Sequence, residues 1–68
     1  MAALITTYLT DRAEAQRIAA CLRKRLPTTA KVSVSSDGYV KVYAATRRDR
    51  DVRPLRALLK RAEPRCKL

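Results

Sequence analysis

Apolar residues follow two different spacings along this chain, and the changes of spacing divide it into five segments. Residues 3–9, ALITTYL, carry no charge and are rich in β-branched and aromatic types, which predicts a first strand. Asp11 with Glu14 is typical of a helix N-terminus, and Pro27 places the end of that helix near Leu26. The helix would bury a stripe about 100° wide, formed by Ala15, Ile18, Ala19, Leu22 and Leu26.

Residues 30–44 alternate apolar and polar side chains on both sides of Asp37 and Gly38, which predicts a hairpin. A two-residue turn would pair apolar with polar positions, so we expect a three-residue loop, 36–38, with Gly38 in a left-handed conformation. One face of the hairpin then becomes aliphatic, pairing Val34 with Val40, Val32 with Val42 and Ala30 with Ala44. The other face pairs Ser35 with Tyr39, Ser33 with Lys41 and Lys31 with Tyr43.

A last helix is expected to start near Asp49 or Asp51, either of which can cap it, with Pro54 tolerated in its first turn. Its apolar side would be formed by Val52, Leu55, Leu58, Leu59 and Ala62. Pro64 is expected to end this helix. We therefore predict one compact domain over residues 1–63 and a mobile basic C-terminal tail over residues 64–68.

The predicted element order is β-α-β-β-α. Right-handed strand-helix-strand connections then favour an α+β fold, in which two helices pack on one face of a three-stranded sheet. The third strand would be central if the sheet follows the split β-α-β pattern.

Charge narrows the choice of partners. Sixteen Lys and Arg against six Asp and Glu leave a net charge of +10, and residues 47–68 alone hold nine basic and three acidic residues. Such an excess predicts attraction to polyanions, either nucleic acid (RNA or DNA) or an acidic protein surface. The opening MAALITTYLT is too polar and too short for a signal peptide or a membrane span. We therefore expect a cytoplasmic protein that is not bound to membranes.

The residues that usually carry catalysis or hold metals are scarce. The chain has no histidine and one glycine, so it lacks the usual general base near neutral pH and cannot form a glycine-rich phosphate loop. Cys21 and Cys66 have neither CxxC spacing nor a histidine partner for zinc. We interpret both as free thiols, with an intermolecular disulfide through Cys66 as the alternative. The prediction is a non-enzyme without metal or cofactor.

Two groups of residues are candidates for nucleic-acid binding. On the polar face of the sheet, aromatic rings could stack unpaired bases while lysines neutralise phosphates; this group is Lys31, Tyr39, Lys41 and Tyr43. Tyr8 would join it only if Ile5, Thr7 and Leu9 point inward. The second group follows the third strand and continues along the last helix, and consists of Arg47, Arg48, Arg50, Arg53, Arg56, Lys60 and Arg61. The first six of these would supply the electrostatic contact. Each group can also be explained without a binding role, the first as a half-solvated sheet face and the second as a salt-bridged helix surface.

The function predicted from these features is nucleic-acid binding, mainly through phosphate contacts. The alternative is a small inhibitor or adaptor that docks on a nucleic-acid-handling protein assembly, because arginine and tyrosine are also enriched at protein interfaces. The unpaired edge of a three-stranded sheet could also pair with its symmetry mate to form a homodimer.

Overall fold

The computed structural model describes residues 3–67, which form one three-stranded sheet and two helices. In chain order the elements are β1 (Ala3–Leu9), α1 (Arg12–Arg25), β2 (Ala30–Val34), β3 (Tyr39–Ala44) and α2 (Asp49–Cys66). The sheet order is β1-β3-β2, and both neighbouring pairs are antiparallel. The predicted α+β fold and the central position of β3 are confirmed.

The hairpin of β2 and β3 has the register expected from its alternating pattern, with Val32 opposite Val42. Its loop closes where the Gly38 N–H donates to the Ser35 carbonyl at 3.2 Å. Gly38 has a φ of +88°, a conformation in which any residue with a side chain is strained. The single glycine of the chain therefore lies where the turn requires it.

Gly38→Ala is expected to lower the free energy of unfolding by about 2 kcal/mol or more. The left-handed conformation alone is unfavourable by roughly 1–2 kcal/mol for alanine, and the added Cβ would overlap the Thr10 carbonyl oxygen. Urea unfolding measures the change. Ser36→Ala, at an exposed position of the same loop, is the control and should change stability by less than about 0.5 kcal/mol. Equal stability of the two variants would contradict the role given to Gly38.

Both helices pack on the aliphatic face of the sheet, where Val40, Val42 and Ala44 have no exposed surface. The helix residues buried there are Ala15, Ile18, Ala19 and Leu22 from α1, and Val52, Leu55, Leu59, Ala62 and Cys66 from α2. Leu58, which the helical pattern placed with this group, is instead 38% exposed. None of the charged side chains among residues 3–67 is buried. All of the charge is therefore displayed at the surface of the described chain.

The two helices begin differently. The Asp11 carboxylate accepts a hydrogen bond from the Glu14 N–H at 2.8 Å, which is the predicted N-cap of α1. α2 has Arg48 at its N-cap position, without a side-chain hydrogen bond to the helix. Asp49 and Asp51 lie in the first turn of α2 rather than at its cap. Their negative charge there still interacts favourably with the helix dipole.

The prediction of free thiols is wrong, because Cys21 and Cys66 form an intramolecular disulfide with their Cα atoms 5.6 Å apart. The helices run antiparallel, so that the end of α2 lies beside the middle of α1. Cys21 lies next to the apolar stripe of α1, on the side that faces α2. The disulfide therefore joins the two helices directly.

Pro64 does not end α2, which continues to Cys66. A proline inside a helix lacks the N–H that would bond one turn back. The last turn is nevertheless closed, since the Lys67 N–H donates to the Glu63 carbonyl at 3.1 Å and Cys66 is fully buried. Residues 64–66 are therefore the last turn of the helix, and Leu68, the end of the predicted tail, lies outside the described residues.

Candidate nucleic-acid interface

The face of the sheet opposite the helices, called here the open face, carries the predicted tyrosines and lysines. Tyr39, Lys41 and Tyr43 alternate along β3 and are half-buried, while Lys31 of β2 lies opposite Tyr43 and is exposed. β1 adds Leu4, Thr7 and Leu9 opposite the same three β3 residues. The open face is therefore a mixture of aromatic, aliphatic and basic side chains.

Tyr8, whose face the sequence left undecided, does not join the open face. It lies opposite Val40 and is only 9% exposed. The register of β1 shifts between Leu4 and Thr6, which is a β-bulge at Ile5. The extra residue lets Ile5 and Tyr8, three positions apart, both pack against the core. Strict alternation would have put these two side chains on opposite faces.

The Tyr8 ring belongs to the packing of the C-terminal turn of α2. The Lys67 ammonium lies 4.5 Å from the ring centroid and forms an ion pair with Glu63 at 2.7 Å. Burial, together with the nearby Glu63 carboxylate, raises the pKa of Tyr8, and hydrogen bonding to Lys67 lowers the pKa of Glu63. The buried Tyr8 hydroxyl has no hydrogen bond of ordinary geometry within the described chain. This tyrosine has a structural role.

The second predicted group lies on the other side of the molecule. Arg53, Arg56 and Lys60 are exposed on α2 and form no ion pair within residues 3–67. Arg48, before the helix, lies 3.9 Å from Asp51, and this pair is largely exposed. Because the sheet separates the open face from the helices, the predicted tyrosines and the arginines of α2 form two separate surfaces. Arg47 and Arg50 are exposed near the start of α2.

A third basic surface was predicted only in part, because the sequence pointed to Lys60 and Arg61 but not to the residues that join them. Between the end of α1 and the second half of α2 lies a depression of about 530 Å³, lined by Arg25, Leu58, Lys60, Arg61, Ala62, Pro64 and Arg65. Arg25 also lines a neighbouring depression with Arg17, Ala20, Cys21 and Lys24. We call these two together the basic groove, defined by Arg17, Lys24, Arg25, Lys60, Arg61 and Arg65. Its lining contains no carboxylate.

The charges of the basic groove are almost uncompensated. Arg17 forms an ion pair with Glu14 on the same helix. This contact lowers the pKa of Glu14 and raises the pKa of Arg17. The remaining five basic side chains make no ion pair with any residue in the described part of the chain. Like charges gathered in a concave surface reinforce one another and attract an anion more strongly than scattered ones.

Sequence reasoning did not join the two halves of this surface because they are far apart along the chain. Lys24 and Arg25 end α1, whereas Arg61 and Arg65 lie about three to four turns into α2. Nothing in the local pattern around either pair shows that the two lie side by side. A pairing of Cys21 with Cys66 was the one signal in the sequence that could have brought the two helix faces together.

The described residues offer little for other chemistry. Within residues 3–67, no group of three or more His, Cys, Asp or Glu side chains could hold a metal ion, and neither helix is long and apolar enough to cross a bilayer. Comparison with protein-family models, with curated proteins and with solved structures gives no match. The functional assignment therefore rests on the geometry of the two faces and of the basic groove.

Proposed function

We propose that this protein binds nucleic acid without catalysing a reaction, and that the basic groove contacts the phosphate backbone. One observation carries the proposal: a concave surface is lined by six basic side chains and no carboxylate. A chain of phosphates suits such a surface, because each guanidinium group can donate two hydrogen bonds to the oxygens of one phosphate. Arg53 and Arg56, exposed on α2, would extend the contact toward Arg47, Arg48 and Arg50.

The open face would add a second contact for single strands. Tyr39 and Tyr43 could each stack a base, worth about 1–3 kcal/mol, and Lys31 and Lys41 would neutralise the flanking phosphates. Since this face and the basic groove lie on opposite sides of the sheet, stacking would strengthen binding of single strands and leave duplex binding unchanged.

Binding to oligonucleotides is expected to weaken steeply with salt. If six phosphates are neutralised, log affinity should fall against log salt with a slope of about −5 for duplex and about −4 for single strands. Fluorescence anisotropy with labelled oligonucleotides of equal length measures both. Tyr39→Ala with Tyr43→Ala should weaken the single strand alone. Affinity that is feeble at physiological salt for both forms would argue against the proposal.

The open face also favours a second candidate function, docking on an acidic protein surface as an inhibitor or adaptor. Leu9 is 71% exposed and Leu4 is 54% exposed beside the tyrosines, and a protein partner uses such apolar contacts better than nucleic acid does. Failure of the salt titration together with recovery of an acidic protein on immobilised wild-type protein, but not on a Leu4→Ser, Leu9→Ser variant, would favour this function.

The cytoplasmic location predicted from the sequence is part of the proposal. This location requires the Cys21–Cys66 disulfide to survive in the cytosol, where glutathione keeps most thiols reduced and disulfides are rare. Cys66 has no exposed surface, which hinders attack on its sulfur by small thiols.

A further inference from the structure

The two edges of the sheet are treated differently. At the β2 edge, Lys31 is exposed, and the Arg23 guanidinium reaches from α1 to donate to the Val32 carbonyl at 2.9 Å. Basic side chains on an edge discourage it from pairing with another chain. β1, at the other edge, has seven residues and no charged side chain. Only the β2 edge is therefore guarded by charge.

The β1 edge also gathers exposed apolar surface. The described chain has three large hydrophobic residues that are exposed, and two of them, Leu4 and Leu9, belong to β1. β1 pairs with β3 on one side, and no described strand lies on its other side. An unpaired strand with exposed leucines is a template for a further strand.

The charge of the molecule limits which strand can be added. Two copies that each carry +10 repel one another unless they meet where the field is weakest. The charged groups near β1 are Lys41, which lies opposite Thr7, Glu14, and the ion pair of Glu63 with Lys67 beside Tyr8. Two of these four groups are basic and two are acidic, so their charges offset one another. Arg61 and Arg65 of the basic groove lie on the α1 side of α2, away from β1. The β1 edge is thus the place where like copies can approach.

We propose that β1 pairs antiparallel with β1 of a second copy of this chain, forming a two-fold dimer with a continuous six-stranded sheet. A two-fold contact uses the same edge from both copies, so an uncharged strand is its own complement. The bulge at Ile5 leaves only residues 6–9 as a regular stretch for pairing. Because this stretch is short, the dimer should be weak and should dissociate at low protein concentration. Both open faces would lie on one side of the dimer, and both basic grooves on the other.

Thr7→Lys tests the proposal, with Ser33→Lys as its matched control. Both positions are exposed on the open face and both lie opposite Lys41, but Thr7 is on β1 and Ser33 is on β2. The two variants therefore gain the same charge beside the same neighbour. In sedimentation velocity from about 1 µM to about 1 mM, wild type and Ser33→Lys should dimerise, while Thr7→Lys should have a dissociation constant at least about tenfold higher.

Amide exchange of the unmodified protein is a second measurement that does not depend on a variant. Protection of amides in β1 should rise with protein concentration, while protection in β2 should not. A wild-type protein that stays monomeric throughout the range would overturn the proposal. So would equal weakening by the two lysine variants, because net charge rather than the β1 edge would then explain the effect.

Discussion

Replacing both cysteines, Cys21→Ala with Cys66→Ala, is expected to lower the free energy of unfolding by about 4 kcal/mol. The disulfide closes a segment with a sequence separation of 45, and removing such a cross-link returns the corresponding conformational entropy to the unfolded chain. A domain of this size has only about 3–10 kcal/mol of stability in total. The variant should therefore be close to unfolding at room temperature.

Guanidinium chloride unfolding of the oxidised wild type, the reduced wild type and the double variant measures this loss. Dithiothreitol should lower the unfolding midpoint of the wild type and leave that of the double variant unchanged. The double variant is therefore the control for any effect of the reductant other than reduction of the disulfide. Amide exchange should rise first in residues 63–67, because Cys66 holds that turn against α1. A wild-type midpoint unaffected by reduction would contradict the structural role of the disulfide.

Removing three charges from the basic groove, Arg25→Gln with Arg61→Gln and Arg65→Gln, is expected to weaken duplex binding about 100-fold at physiological salt. Each lost phosphate contact should remove about 1 kcal/mol and reduce the salt slope by about 0.9. None of the three side chains has an ion-pair partner in the described part of the chain, so stability should change little. Anisotropy with the same labelled duplex, repeated over a salt series, gives both quantities.

A second triple variant separates the position of the charges from their number. Arg12→Gln with Lys31→Gln and Lys41→Gln removes the same net charge from surfaces outside the basic groove. Duplex affinity should then fall only slightly, through the weaker long-range field. If both triple variants lose affinity equally, binding follows net charge alone and the groove has no special part in it.

The hairpin was predictable in detail because its information is local. Alternation on both sides of one glycine allows a single register that keeps apolar residues on one face, and the observed pairing of Val32 with Val42 follows from it. The N-cap at Asp11 was predictable for the same reason, since its hydrogen bond spans three residues. Interactions this short depend on a few neighbouring side chains.

Several of the differences from the prediction involve residues that meet only after the chain has folded. A bulge at Ile5 changed the phase of β1 and moved Tyr8 from a candidate stacking surface into the core. A proline that ends many helices was kept inside α2, where the buried, disulfide-bonded Cys66 holds the turn that follows. In both cases packing against the rest of the molecule outweighed the local preference.

The amino-acid sequence by itself determined the kinds of element, their order and the aliphatic side of the hairpin and of both helices, because period and capping act over a few residues. Its excess of Lys and Arg also determined that the surface attracts anions. Only the tertiary structure decided where that charge is concentrated. Antiparallel packing of α1 against α2 brings Arg25 beside Arg61 and Arg65, while the sheet keeps the tyrosines of β3 on the far side. Residues 36 or more positions apart become neighbours through burial of the helix faces, which no local pattern records.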